Sequence, residues 1–482
     1  MSDQEQAVAA LRALLGPTQV ISDARLLEYY KLDGLRPSRG YRDREQLGAQ
    51  PTCVVRPRST ADVQALVRWA NTQRVPLIPY GGGTGLMGGA MTSGEGVLLD
   101  FQDMARLLAI SQEDHQAVVQ PGVVLGTLED ALHARGLTLG HDPWTLGIAT
   151  VGGAISTDGL GYRGGQYGSM GEQVLGLEVV LPNGMTLRTR AVPKSSTGPD
   201  LSQLFIGGEG VFGLVTEATL HVFPAPEGRA LLAFAFPTFP TGFAAASEMT
   251  GVGLRPALLE LDEDEPTSTL ASTPGEGSQV VTLYLGCEGF RELVEAQRTR
   301  ACAICQRHDG KDLGEPVAQA FWYGRHRTAD RFQRERLNNL KRGVLDLRPP
   351  GSFDYIHVAL PRSQVLPFRE RALHLCRERG VTVTQCGIWT RPELFSMALR
   401  NESSHTEVLA DTVDALLTMA QDVGGSMEYC HGIGVRLAHL LERELGAGLY
   451  LLRTLKQILD PGSVVNPGKL GLSPATPGWN PP

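Results

Sequence analysis

The feature that most limits what this chain can become is the run Pro79-Tyr80-Gly81-Gly82-Gly83-Thr84-Gly85-Leu86-Met87-Gly88-Gly89-Ala90, half of whose twelve residues are glycine. An apolar stretch, Val75 to Ile78, leads into it. Without Cβ atoms the backbone takes positive φ readily and can turn several N–H groups toward one anion, a diphosphate being the natural guest. A bare turn would leave those N–H groups facing nothing. Gly83-x-Gly85-x-x-Gly88 also satisfies the dinucleotide fingerprint GxGxxG, but that fingerprint requires a helix to start among the glycines. Here the next strand, Val97 to Asp100, follows Gly89 after seven residues, which leaves no room for a crossover helix.

A length of 482 residues implies two or three domains. The formal charge of −8 excludes a broad basic surface for nucleic acid or anionic membrane. No apolar run approaches the roughly 20 residues that span a bilayer, and Met1-Ser2-Asp3-Gln4-Glu5-Gln6 lacks the basic-then-apolar order of a secretory signal. The chain reads as cytoplasmic. Its seven cysteines are scattered and form no disulfide framework. Cys302-x-x-Cys305 lies in the helical pattern Phe290 to Arg307 and reads as two residues one turn apart, a zinc or redox pair being the alternative.

Taken in order, residues 1–48 form an N-terminal arm: a helix from Gln6 to Leu15, stopped by Gly16-Pro17, then a polar, loop-like stretch without chemistry. Residues 49–226 alternate short strands and helices. Ser59 caps a helix with Val63, Leu66, Val67 and Ala70 on one face, and Leu125 to Arg135 is a second helix ended by Gly136. Eight glycines in the twenty residues from Gly152 to Gly171 argue against a regular element there. Strands are expected at Ala117–Gln120, Val174–Leu181, Met185–Arg190 and Leu214–Phe223, with a hairpin at Asn183-Gly184. Residues 227–423 read as an antiparallel sheet covered on one face, interrupted by a mobile acidic loop from Asp262 to Ser278. Residues 424–472 return to the first part, and 473–482, with four prolines, form a disordered tail.

Three ordered motifs then carry a resemblance: Pro79 to Ala90, Gly140 to Gly168, and Gly207-Gly208-Glu209-Gly210-Val211-Phe212-Gly213-Leu214-Val215-Thr216-Glu217. They resemble the FAD-binding half of the vanillyl-alcohol-oxidase and p-cresol-methylhydroxylase flavoproteins. The closing Asp460-Pro461-Gly462-Ser463-Val464-Val465-Asn466-Pro467-Gly468-Lys469 resembles that of the D-lactate dehydrogenase and glycolate oxidase branch. The resemblance implies an α+β protein with a two-subdomain FAD-binding domain, an antiparallel-sheet cap and a C-terminal helical segment returning to the flavin. It also implies FAD contacts at Pro79, Gly81, Gly82, Gly83, Thr84 and Gly85, along the seam at Thr145, Thr150, Gly152, Gly153, Ser156 and Thr157, and at Glu209, Gly210, Gly213 and Val215. Relatives that bind FAD covalently through this loop place a histidine where this chain has Thr84, so the FAD is expected to be non-covalent.

His431 resembles the histidine of the family's Glu-His-Gly-Ile-Gly segment near the reactive edge of the flavin. A neutral imidazole there suits a base near neutral pH; a histidine bonded to a loop carbonyl is the alternative. Cys430 replaces the glutamate of metal-using relatives, and no Gly-Asp-Gly-Asn-x-x-His counterpart surrounds Cys386-Gly387-Ile388-Trp389, so no metal is expected. Glu428, two positions away, is expected to face the opposite side. Trp322-x-x-Arg325 resembles the pair whose arginine grips the substrate carboxylate, a solvated arginine in a basic patch being the alternative, and His326 reads as surface.

The resemblance implies an FAD-dependent dehydrogenase of a small 2-hydroxy acid, D-lactate or glycolate in type. Two alternatives stand beside it. Gly140-His141-Asp142-Pro143 and Ser196-Thr197-Gly198-Pro199-Asp200 are closer to alkyldihydroxyacetone-phosphate synthase, and a flavin subunit without independent turnover is the other. The electron acceptor is not legible, and nothing in the chain dictates an oligomeric state, a homodimer included.

Overall fold

The computed structural model describes residues 2–41, 48–92, 94, 96–264, 280–342, 351–402 and 407–472. A mixed four-stranded sheet runs in the order Val20–Ile21, Cys53–Val55, Val97–Asp100, Leu77–Tyr80. Its helix Thr60–Gln73 starts where the Ser59 side chain accepts from the Asp62 N–H, buries Val63, Leu66, Val67 and Ala70, and stops at Arg74 in the left-handed region. Leu77–Tyr80 and Val97–Asp100 pair in parallel. Parallel neighbours ordinarily need a crossover helix; the described residues between these two contain none, and the glycine run makes the connection alone.

Leu77–Tyr80 is therefore an edge strand, and the C-terminal segment covers it. Leu77 N–H donates to the Val464 carbonyl at 2.7 Å and Asn466 N–H to the Leu77 carbonyl at 2.8 Å. Pairing an edge in this way removes a template for unwanted association. An antiparallel five-stranded sheet follows, ordered Leu107–Ser111, Gln116–Val119, Leu214–His221, Val174–Val180, Thr186–Arg188. Its last two strands are joined at Asn183-Gly184, with Gly184 at φ +81°.

After Pro224 the chain enters a seven-stranded sheet, all of whose neighbours are antiparallel. Leu259, Leu261, Ile388, Phe395 and Met397 on one face join a core with Phe239, Ile304, Phe368 and Leu416 from helices Phe239–Gly251, Arg291–Arg307, Val365–Glu378 and Glu407–Asp422. Leu409, Val413, Leu416, Leu417 and Ala420 of the last of these point inward as their spacing requires. Tyr284 on the other face packs with Trp322 of helix Glu315–Gly324, so that face is also partly covered.

Several expectations change. The arm is not loop-like after Gly16, because Asp23 caps a helix, Ala24–Tyr30, that buries Leu27 and Tyr30. The glycine-dense seam holds a regular helix, Val151–Thr157, because Thr150 caps it and Val151, Ala154 and Ile155 supply a buried stripe that offsets the poor propensity of Gly152 and Gly153. Asp262 to Asp264 complete the strand Leu258–Asp264 rather than open a loop. The remainder of that acidic segment and the tail from Ser473 lie outside the described residues. Cys302 and Cys305 are unbridged on one helix.

Candidate functional site

The glycine loop is held from behind through its carbonyls. Gly85 O accepts from Gly34 N–H at 2.6 Å, Met87 O from Val435 N–H at 3.0 Å, and Gly83 O from the Arg336 guanidinium at 3.1 Å. The N–H groups of Gly82, Gly83, Thr84 and Gly85 donate to none of the described residues. With its carbonyls engaged and its N–H groups free, the loop is a nest for an anion. Small size is also required: a Cβ on Gly82 would lie 2.3 Å from the Ile148 carbonyl oxygen, and one on Gly81 would lie 2.3 Å from Thr150 Oγ1.

These N–H groups open on a cavity between the glycine loop and the facing segment from Pro143 to Leu160. All sixteen positions expected to meet the coenzyme line it, from Pro79 and the glycine loop through Thr145, Thr150, Ser156 and Thr157 to Gly210, Gly213 and Val215. Glu209 lines it as well, but has a second task. Its carboxylate accepts from the N–H groups of Ile433 at 2.5 Å and Gly434 at 2.9 Å, while its own carbonyl accepts from Asn466 Nδ2 at 2.6 Å. Burial pushes this carboxyl up to about 7, against the two N–H donors. Asp33, from the arm, also lines the cavity and is pushed up to about 6 by burial. The arm thus contributes to the site.

Beside Glu209, the segment 428–434 brings Cys430 and His431 to the cavity wall. Glu428 does not face away from His431, because this stretch is a turn rather than a strand. Glu428 Oε1 accepts from the N–H groups of Tyr429, Cys430 and His431 at 3.1, 2.8 and 2.9 Å and lies 3.3 Å from His431 Nδ1. Burial disfavours the imidazolium of His431, but the adjoining Cys430 sulfur and Glu428 carboxylate outweigh it and hold His431 well above the usual imidazole range. His357 stands 4.6 Å away, ring to ring, and burial with the His431 charge lowers it to about 3. Donor atoms of His357, Glu428 and His431 come within 4.8 Å of one another, close enough to hold a metal ion where the sequence led us to expect none.

Two family profiles match this chain: one described as an FAD binding domain over residues 51–190, the other as the C-terminal domain of FAD linked oxidases over residues 225–470. The chain belongs to the FAD-linked oxidases. The cofactor is FAD, and the free N–H groups of residues 82–85 and the uncluttered glycines fit its diphosphate. Among relatives, this FAD-linked oxidase is 29% identical to the glycolate oxidase subunit GlcD of Bacillus subtilis (strain 168), covering 88% of this chain and 90% of that protein. It is 27% identical to the D-lactate dehydrogenase of Archaeoglobus fulgidus, covering 88% and 92%. Its fold is shared with p-cresol methylhydroxylase, at a TM-score of 0.75, 20% identity and 98% coverage of both chains. It is shared also with alkyldihydroxyacetonephosphate synthase, at 0.74, 21% identity and coverage of 96% of this chain and 84% of that one.

One expected site residue of the oxidase lies elsewhere. Arg325 does not line the cavity: its Nε donates to Asp142 Oδ2 at 2.9 Å, and its guanidinium stacks 3.9 Å from the Trp322 ring. His326 joins the same carboxylate at 2.9 Å and is thus not merely surface. Asp142 is 3% exposed, and these partners overcome its burial and bring it down to about 2. Arg325→Ala would strip a buried carboxylate of its principal counterion, at a cost of about 3 kcal/mol. A lowered melting temperature with little change in KM is the expected result; an unchanged melting temperature with a selective rise in KM would return Arg325 to the substrate.

Sequence reasoning missed Asp33, His357 and the Arg336 clamp, and turned Glu428 the wrong way. An N–H-capping carboxylate two or three residues before a candidate base is a signal that could have found Glu428. The others are brought in by tertiary folding across more than forty residues and leave no local trace.

Proposed function

We propose that this FAD-linked oxidase dehydrogenates a small 2-hydroxy acid of the D-lactate or glycolate type, with His431 as proton acceptor. The observation that carries this reading is the His431 ring on the wall of the coenzyme cavity, backed by Glu428 3.3 Å away. The names of the relatives supply the substrate class. Bound FAD supplies a two-electron acceptor for the hydride of the carbinol carbon. The protein supplies the rest. Gly82 to Gly85 hold the diphosphate, Glu209 fixes the turn that presents His431, and the uncharged ring of His431 takes the hydroxyl proton. Glu428 steadies the resulting imidazolium.

A decisive experiment is anaerobic titration of the yellow protein with D- and L-hydroxy acids. Bleaching by D-lactate or glycolate is expected; a response to acyl dihydroxyacetone phosphate alone, or to no hydroxy acid, overturns the assignment. Turnover with an artificial electron acceptor separates an independent enzyme from a subunit that needs partners.

The Cys430 sulfur and the Glu428 carboxylate beside His431 also set a pH dependence. Because the imidazolium of His431 is favoured in the folded protein, its basic form is scarce below the raised value and accumulates as pH climbs through it. A logarithmic plot of kcat/KM should therefore rise with pH, with its limb well above 6.5. Glu428→Gln keeps a carbonyl oxygen for the three backbone N–H groups but removes the charge, so the limb should move down toward the ordinary imidazole range. A limb that stays in place after this substitution would remove Glu428 from the mechanism.

A further inference from the structure

A second imidazole faces the same cavity, and the proposed function gives it no role. His141 is 3% exposed and lines the cavity; its Nδ1 is sealed off inside the protein, while its Nε2 is not sealed off and hydrogen-bonds none of the described residues. Nε2 is therefore the ring nitrogen left for a ligand in the cavity to complete.

The surrounding structure fixes this ring closely. Gln173 Oε1 accepts from the N–H groups of Gly140 at 3.1 Å and His141 at 3.2 Å. Next in sequence, Asp142 is anchored by Arg325 and His326. Glycines leave the ring its space: a Cβ on Gly159 would sit 3.4 Å from His141 Cε1, and one on Gly161 would collide with the Asp142 backbone at 2.5 Å. Such support from behind is what a ligand-facing side chain needs. Arg325, expected to hold substrate, therefore acts at one remove as a positioning residue for the 140–142 segment.

His141 also lies at the His431 end of the cavity. The position of a Gly159 Cβ is 3.6 Å from both His141 Nε2 and Thr157 Oγ1. Thr157 Cγ2 is in turn 3.6 Å from the position of a Cβ on Gly432, the neighbour of His431. Leu160 O accepts from Cys430 Sγ at 3.5 Å. The two imidazoles differ in charge state. His431 has a carboxylate beside it, whereas burial brings His141 down to about 4, so it is neutral at neutral pH.

We propose that His141 is a coenzyme-contacting residue whose uncharged imidazole hydrogen-bonds the isoalloxazine end of FAD. This rests on the proposed function only in taking the His431 end of the cavity as the isoalloxazine end. A donor directed at the ring system favours the reduced flavin, in which negative charge accumulates.

The test compares His141→Phe, which fills the volume without a polar atom, with His141→Gln, which keeps one. FAD content, the visible absorption bands and the midpoint potential are measured on each purified holoprotein. The expected result is that His141→Phe retains FAD, because the glycine loop is untouched, but shows displaced bands and a lowered potential, with His141→Gln in between. Wild-type bands and potential in His141→Phe would overturn the proposal. So would loss of FAD from His141→Phe alongside an unaltered His141→Gln, since that pattern marks a packing role. If His431→Ala abolishes reduction by substrate while His141→Phe is spectrally silent, this inference alone fails. If neither variant has an effect, the assignment of the reacting end fails with it.

Discussion

Gly82→Ala should give a folded protein that emerges from purification without its yellow colour. The added methyl would lie 2.3 Å from the Ile148 carbonyl oxygen and 3.0 Å from its carbon, both backbone atoms of the segment that forms the facing wall. No rotamer change relieves a clash with backbone. Either the loop or residues 148–149 must move, at a cost of about 3 kcal/mol, equivalent to about 100-fold in FAD affinity. The substitution lies outside the buried clusters that hold the sheets together, so far-ultraviolet circular dichroism should be unchanged. FAD titration followed by quenching of flavin fluorescence measures the effect. Gly147→Ala is the control, since a Cβ there meets nothing within 4 Å. Tight FAD binding by Gly82→Ala would mean that the nest is not where the diphosphate sits.

The second large effect is expected from His431→Ala. Loss of a positioned proton acceptor lowers turnover by about 10² to 10⁴-fold. The glycine loop and the Glu209 contacts to Ile433 and Gly434 use backbone or other side chains and remain in place. FAD content and spectrum should therefore match wild type while rapid-mixing reduction by substrate slows. His431→Gln should not rescue, because an amide hydrogen-bonds but does not accept a proton at these pH values. Equal loss of FAD and activity would instead assign His431 to the scaffold.

The glycine-loop side of the cavity was legible because its chemistry is local. An anion nest is built from consecutive residues, and glycine at a positive-φ or close-contact position has no substitute. The Gly83 φ of +64° and the close contacts of Gly81 and Gly82 are what the run from Pro79 announces. The His431 side was less legible because its parts come from distant segments. Glu428 seemed to point away from His431 only if residues 428–431 were extended, and three N–H groups converging on one carboxylate oxygen curl them instead. The setting of Arg325 was hidden for a related reason. Its sequence context shows the Trp322 it stacks on, but not Asp142, 183 residues away, which claims its charge. The helix at Val151–Thr157 was hidden by composition, since burial of three apolar residues outweighs two glycines only once a partner surface exists.

Asn466 joins Gly89 to Glu209 through one amide group, and residues 464–466 hydrogen-bond to the strand that delivers the glycine run. These contacts reach back across 377 and 257 residues of chain. During synthesis on the ribosome the glycine run therefore emerges long before the segment that braces it, and firm retention of the prosthetic group awaits the docking of residues 464–466.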